Sequence, residues 1–263
     1  LKLRPLAPFC PGRAVKTAAE IELLRAGVRL AEAGLARAEQ VLQQSSIAPD
    51  GYVHWQGEVL LAETLRGEID AEISRRGGIA LGTITAPGVQ GADPHQVGQG
   101  PVPAHQPLVI DIFPRCQSSG YHGDLTRTLV KGQASEPVRR AFAAVAEAQK
   151  KALAALEHCR CARTVHQLVV DYFAAQGYVT EYGQGLVPRG FFHSTGHGLG
   201  LEVHEAPGLN SRETQPLLPG HVVTVEPGLY YPEWGGIRLE DVVALRSDGC
   251  ENLTRAPVYL EVR

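Results

Sequence analysis

The chain has 263 residues, 44% hydrophobic and 20% charged, with a net charge of −3. That is enough to bury a core in one large α/β domain or two small ones. The negative balance and the lack of a basic stripe exclude a nucleic-acid binder working by bulk electrostatics, and no apolar run reaches membrane-spanning length.

The five cysteines, at 10, 116, 159, 161 and 250, are odd in number and do not read as a secreted disulfide framework, so a reducing cytoplasm is the expected compartment. Cys159-Arg160-Cys161, after His158, lies at a helix end without a second cysteine pair, and reads as structural rather than as a metal site. There is no methionine, even at position 1, which suggests a piece of a longer chain.

In chain order, residues 1–16 are proline-rich (Pro5, Pro8, Pro11) and read as an extended lead-in. Thr17 with Glu20 makes a capping box. Behind it Ile21, Leu24, Val28, Ala31, Leu35, Ala38 and Leu42 form one apolar helical face. After the turn Pro49-Asp50-Gly51, Leu61, Leu65, Ile69 and Ile73 predict a second helix that stops before Gly77-Gly78. Short β-type runs follow at Ile79–Ala86, Leu108–Phe113 and Tyr121–Val130. Ser135 and Pro137 open a third helix along Val138, Phe142, Val145, Ala152 and Leu156, and Thr164 with Gln167 reads as the capping box of a fourth. Strand-type runs return at Gly198–His204, His221–Glu226 and Gly236–Leu245. Two helices then strands, twice over, predict an α+β layer of helices backing a curved sheet, its two halves structural echoes of one another.

The stretch Phe191–Glu205, F-F-H-S-T-G-H-G-L-G-L-E-V-H-E, carries His193, His197 and His204 among glycines that leave room for close approach. One such histidine alone reads as a core residue; three at this spacing suggest a metal or catalytic centre. Asp111, Asp124, Glu226 and Glu240 sit in apolar strand contexts where a carboxylate is costly unless paired, hydrogen-bonded or metal-bound. Each alone could be a strand-end charge reaching solvent. Together they would repel one another and raise their pKa values, and two divalent cations would cancel the four charges. Oxygen-rich ligation with imidazole favours Mn²⁺, Co²⁺ or Fe²⁺ over structural zinc. Two such ions, about 3.5–4 Å apart, generate a bridging hydroxide for hydrolysis.

The ordered set Asp111, Asp124, His197, Glu226 and Glu240, within G-H-G-L-G-L-x-V-H-E, V-E-P-G-L-Y and G-I-R-L-E-D, resembles the pita-bread metallopeptidases. These are the methionine aminopeptidases, aminopeptidase P and prolidase, and the resemblance runs from about Arg13 to the C-terminus. It implies the α+β pita-bread fold with two pseudo-symmetric halves, as a single catalytic domain over 1–263. His193 and Arg238 occupy positions that mark the proline-specific branch.

That branch implies a hydrolase, an Xaa-Pro aminopeptidase or dipeptidase, which cleaves between an N-terminal residue and a following proline. Two divalent ions per chain are implied, Mn first, with Co, Zn or Fe as alternatives. By resemblance, Asp111 chelates one ion, Asp124 and Glu240 bridge both, and His197 and Glu226 bind the second. Glu226 also shuttles the proton to the leaving nitrogen, His95 and His204 hold the substrate and the tetrahedral intermediate, and His193 and Arg238 bind substrate. Thr126 is expected to orient Asp124. The expected partner is a peptide with proline second, with no nucleic acid and no membrane; a homodimer is compatible.

The resemblance has departures. Almost nothing precedes Arg13 that could match the separate N-terminal domain many proline-specific relatives carry, so that domain is expected to be absent or truncated, and I-F-P-R-C-Q-S-S-G after Asp111 looks longer than the common hairpin. The rivals are methionine aminopeptidase activity, a non-catalytic binding module of the same fold, and a creatinase-like hydrolase of a small amide. The intact ligand set argues against the last two. His54, His105, His122, His158, His166 and His221 match no motif and read as surface or loop residues. Trp55 and Trp234 read as packing residues, with Trp234 near enough to Arg238 to edge a substrate pocket.

Overall fold

The computed structural model describes residues 10–183 and 187–263. The proline-rich segment 1–9 lies outside them. Residues Pro11–Ala14 form a 3₁₀ turn rather than an extended lead-in.

Helix α1, Ala18–Gln43, begins as its sequence dictates. The Thr17 amide donates to Glu20 Oε2 (2.8 Å), and the Glu20 amide donates to Thr17 Oγ1 (3.3 Å). All seven apolar positions expected on its face are buried. Helix α2 spans Ala62–Arg75, α3 Glu136–Leu156 and α4 Ala162–Ala175. The expected Thr164–Gln167 box does not form. The cap residue is Cys161, which makes no side-chain cap bond, and Thr164 already lies within the first turn of α4.

In the first half, strands β1 (Ile84–Pro87), β2 (Leu108–Asp111) and β3 (Thr126–Lys131) pair antiparallel. In the second half, β4 (Gly196–Gly198), β5 (Glu205–Leu209), β6 (Val222–Val225), β7 (Gly228–Tyr231), β8 (Gly235–Arg238), β9 (Asp241–Arg246) and β10 (Gly249–Asn252) follow. Five of them form an antiparallel sheet in the order β5-β4-β6-β9-β10, while β7 pairs with β8. β11, Glu261–Val262, adds a parallel edge to β3. Helices backing mostly antiparallel sheets, twice over, match the α+β expectation. The long segment after Asp111 is used rather than free: Arg115–Cys116 pairs with Gly78–Ile79.

Four of the strand-type runs differ from expectation. Ile79–Ala86 is not continuous: Gly78–Ile79 is one short strand and β1 begins only at Ile84. Tyr121–Val130 enters its strand only at Thr126. Gly236–Leu245 is two strands interrupted at Leu239-Glu240. Gly198–His204 is not a strand: β4 ends at Gly198, the chain turns through 199–204, and Leu201 faces solvent. Alternation of apolar residues reports which side a residue faces, not whether a neighbouring strand is there to bond it.

Each half has its own apolar core, one against α1 and α2 and one against α3 and α4. A third cluster joins Ile21, Leu24 and Val28 of α1 to Val222, Val242 and Ala244 of the second sheet, so α1 spans both halves. Next to it the backbone of Gly27 meets that of Gly123: a Cβ on Gly123 would lie 2.0 Å from the Gly27 carbonyl oxygen, and one on Gly27 2.5 Å from that of His122. Only glycine permits this approach.

At the seam, the Glu240 amide donates to the Thr126 carbonyl (3.0 Å). Arg127, fully buried, donates to the carbonyls of Thr126 and Glu240 and to Asp241 Oδ1 (2.9, 2.7 and 2.8 Å). These bonds set the two halves' acidic strand ends against each other.

Candidate metal centre

The nine residues singled out from the sequence line one cavity of about 610 Å³. Each arrives there for a local reason. Asp111 ends β2, where the pairing with β1 stops. Asp124 lies two residues before β3, on the segment that Gly123 brings against α1. His197 is the middle residue of β4, Glu226 follows the end of β6, and Glu240 occupies the break between β8 and β9. Arg238 ends β8, and His95 lies in the exposed turn after the 3₁₀ segment Gly88–Ala92.

His197 is the centre of the acidic group. Its Nδ1 lies 3.1 Å from the Gly198 carbonyl oxygen, which can only accept, so Nδ1 carries the proton. That leaves the Nε2 lone pair facing Glu226 Oε1 at 3.4 Å, Asp124 Oδ2 at 3.6 Å and Glu240 Oε1 at 4.0 Å. Asp124, His197 and Glu240 each present a donor atom within 4.8 Å of the others. A lone pair aimed at three carboxylates is unfavourable unless a cation stands between them.

Burial is the first cause of the distortion in this group. It raises the pKa values of Asp124 and Glu240 well above the usual carboxylate range, and neighbouring carboxylates add to the rise, Asp111 first at Asp124 and Asp124 first at Glu240. Burial also lifts Glu226 to about 7; Arg238 opposes the rise and Asp111 adds to it. His197 is pushed down, again chiefly by burial.

The same residues fit divalent cations on independent grounds. Asp111 Oδ2 accepts from Arg238 Nη2 (2.7 Å), whereas its buried Oδ1 has no hydrogen-bond partner among the described residues. An orphaned carboxylate oxygen beside a histidine lone pair and three further carboxylates is a hard, oxygen-rich donor set with one imidazole.

Supporting bonds differ from expectation at two places. Thr126 Oγ1 donates to Glu240 Oε2 (2.8 Å) and accepts from Arg238 Nε (3.2 Å), so it orients Glu240 rather than Asp124. Gly196, Gly198 and Gly200 do not open space for a ligand. A Cβ on Gly196 would lie 1.9 Å from the Thr224 carbonyl oxygen, and those on Gly198 and Gly200 would press on Glu205, so these glycines admit neighbouring protein instead.

Two functional neighbours were not singled out beforehand. Thr224 Oγ1 accepts from the His197 amide (3.0 Å) and donates to Glu226 Oε1 (3.2 Å). Its position two residues before Glu226 was the available signal. Tyr230 is fully buried, and its hydroxyl accepts from Arg238 Nη1 (3.0 Å) and donates to His193 Nε2 (2.8 Å). Only its apolar strand context was legible, and the tertiary partners supply the rest.

His204 packs edge-on against His197, ring centroids 4.2 Å apart. Ile84, Val97, Phe113 and Val203 add apolar surface to the cavity lining. Three histidines expected in loops or at the surface are not exposed, although His122 and His221 do lie in connecting segments outside the named strands. His122 and His221 are buried, and His166 is half-buried with Nδ1 2.9 Å from Thr195 Oγ1. Trp234 stacks on Tyr231 at 5.3 Å and is a packing residue that does not line the cavity.

Known proteins resemble this chain in sequence and in shape. An uncharacterized peptidase of Bacillus subtilis, YqhT, is 38% identical over 177 residues, which make up 67% of this chain and 47% of that protein. A Pyrococcus furiosus Xaa-Pro dipeptidase is 36% identical over 177 residues, 67% of this chain and 48% of that one. The crystal structure of an X-Pro aminopeptidase from Thermotoga maritima superposes with a TM-score of 0.81 at 28% identity, covering 96% of this chain and 65% of that one. The chain thus spans about half the length of the curated relatives it matches. Its architecture is the pita-bread fold of these structures. The model of metallopeptidase family M24 matches residues 21–247, and the chain belongs to that family.

Proposed function

We propose that the protein is a dinuclear metallo-exopeptidase that hydrolyses the bond between an N-terminal residue and a following proline, with both halves acting as one catalytic unit. Asp111, Asp124, His197, Glu226 and Glu240 would hold two divalent cations, Mn²⁺ first by the oxygen-rich donor set. When bound, the cations supply a polarised water and positive charge to offset the carboxylates. The observation that carries the reading is the convergence of these five side chains, drawn from both halves, on one cavity in which Asp111 Oδ1 is buried and, among the described residues, unpartnered.

The remaining chemistry belongs to the chain. Glu226 holds Oε1 against Thr224, which leaves Oε2 to take a proton and deliver it to the prolyl nitrogen. That nitrogen cannot depart as an anion, so general-acid help is required. His95 and His204 face the same cavity and hold the substrate carbonyl as it becomes tetrahedral. His193 and Arg238 line the cavity and are joined by the buried Tyr230 hydroxyl; they would stand beside the proline, whose peptide nitrogen has no hydrogen to donate. The relatives named Xaa-Pro dipeptidase and X-Pro aminopeptidase support this branch.

The test is a side-by-side assay of Ala-Pro, Ala-Pro-Ala and Met-Ala-Ser with defined Mn²⁺, Co²⁺ or Zn²⁺ and with chelator. Cleavage of the proline peptides that chelator abolishes is the expected result. Cleavage of Met-Ala-Ser alone would move the protein to the methionine aminopeptidase branch, and no cleavage with any metal would sink the proposal.

A further inference from the structure

Lys16 and Glu205 form a buried ion pair outside the cleft. Lys16 directly precedes the Thr17 cap of α1, and its side chain is 1% exposed. Its Nζ donates to Glu205 Oε1 at 2.6 Å and to the Ala14 carbonyl at 3.3 Å. The other carboxylate oxygen of Glu205 accepts from Arg13 Nη2 at 2.8 Å and from the Glu202 amide at 3.4 Å. An ammonium this deep loses its hydration, so the carboxylate is its compensation, and either group alone would be an uncompensated buried charge. Arg13 is 31% exposed, and water screens its half of the cluster.

The location gives the pair its significance. Glu205 follows His204, and its carboxylate folds back beneath the 199–204 turn. A Cβ on Gly200 would lie 2.4 Å from Glu205 Oε1. The turn has little apolar anchorage beyond Leu199, since Leu201 is exposed and Val203 only half-buried. Its backbone is tied at the start, Leu199 N–H to the Val222 carbonyl (3.1 Å) and His122 N–H to the Gly200 carbonyl (2.9 Å), within by Gly200 N–H to the Glu202 carbonyl (3.1 Å), and at the end by the pairing of Glu205 with Gly198. These bonds hold the backbone on either side of His204, and the Glu205 side chain closes the turn beneath it.

The structure assigns Lys16 a role as a positioning residue: through Glu205 it locks the 199–205 turn, so that the His204 imidazole stands edge-on to His197 inside the cleft. The inference uses the proposed exopeptidase activity only for what His204 does to substrate. The mechanical part stands on geometry alone. It ties the start of the first helix to a cleft residue almost two hundred positions later in the sequence.

The test separates positioning from stability by removing both charges at once. The double variant Lys16→Met, Glu205→Gln leaves no buried ion unpaired. It should keep the wild-type thermal midpoint within a few degrees and the wild-type metal stoichiometry. Its kcat on Ala-Pro-Ala should nevertheless fall about 10- to 100-fold, the loss typical of a misplaced group, with KM changed less than about threefold. Arg13→Ala should leave kcat within about twofold, because its contact is solvent-screened. A readout independent of activity is the imidazole spectrum of metal-free protein labelled with ¹³C-histidine, the His204 signal being identified by its loss in His204→Gln. That signal should be single and sharp in the wild type, and broadened or doubled in the double variant while the His193 signal stays unchanged. A sharp, unshifted His204 signal in the double variant would overturn the assignment, as would a loss of kcat that merely tracks a lost thermal midpoint. If the wild type cleaves no Xaa-Pro peptide, the exopeptidase reading fails and the His204 signal still decides the positioning.

Discussion

Arg238 and Tyr230 together decide which protons His193 can carry. The guanidinium Nη1 donates to the phenolic oxygen at 3.0 Å, so the phenolic hydrogen is committed to His193 Nε2, 2.8 Å away. The other ring nitrogen, Nδ1, donates to the Ser194 carbonyl at 2.7 Å. Burial first, and the charge of Arg238 second, push His193 down to about 3. The ring is therefore neutral and fully engaged at neutral pH, and it shapes the wall of the cleft as a fixed surface.

Replacing Tyr230 by Phe removes the shared hydroxyl and strands a buried donor on Arg238 and a buried acceptor on His193. Each unsatisfied buried group costs about 1–3 kcal/mol, so the urea midpoint should fall clearly. Cleavage of Ala-Pro-Ala should weaken about tenfold, mainly in KM, because orientation rather than proton transfer is lost. An unchanged midpoint and KM would mean that water replaces the hydroxyl without cost.

The Glu226 carboxyl gives chelated protein a pH-dependent stability of definite sign. Its folded pKa, about 7, lies above the ordinary 4.5 because burial disfavours the ionised form. A group that holds its proton more tightly when folded contributes its full stabilisation below the unfolded value, and loses it as pH rises through the folded one. In urea unfolding with chelator, the stability of wild type relative to Glu226→Gln should drop by about 3 kcal/mol from pH 4.5 to 7.5, at 1.36 kcal/mol per unit. A divalent cation should restore the wild type at pH 7.5. A flat difference across that range would contradict the burial assigned to Glu226.

Thr126 supports Glu240, and Thr126→Val keeps its shape while deleting the bonds to Glu240 Oε2 and Arg238 Nε. Loss of such a supporting partner weakens divalent-metal affinity by about 10–100-fold. Titration against a competing chelator would measure it. Wild-type affinity in this variant would show that the Arg127 and backbone bonds at the seam suffice to orient Glu240.

The sequence was informative wherever one residue type in one local pattern has one physical use. The apolar period of α1 and the Thr17–Glu20 box needed no tertiary partner to be read, and both are present. The acids were legible because apolar strand contexts do not otherwise tolerate them, His193, His197 and His204 because of their spacing, and His95, in an exposed turn, only by resemblance; all of them line one cavity. What failed depended on partners distant in the chain. Leu199, Leu201 and Val203 alternate like a strand, yet the carboxylate of Glu205, held by Lys16, folds that segment into a turn. Thr164 and Gln167 have the spacing of a cap, but the helix is already under way when it reaches them. The glycines around His197 read as room for a close approach, and what approaches is the protein's own Thr224 and Glu205.

The contact of Gly27 with Gly123 has a mechanical meaning. No side chain lies between the two backbones, so no rotamer can absorb a displacement there. The spacing from α1 to the segment bearing Asp124 is set by covalent geometry and atomic radii alone. A displacement of α1 at Gly27 therefore passes directly to the segment that carries Asp124 into the cleft.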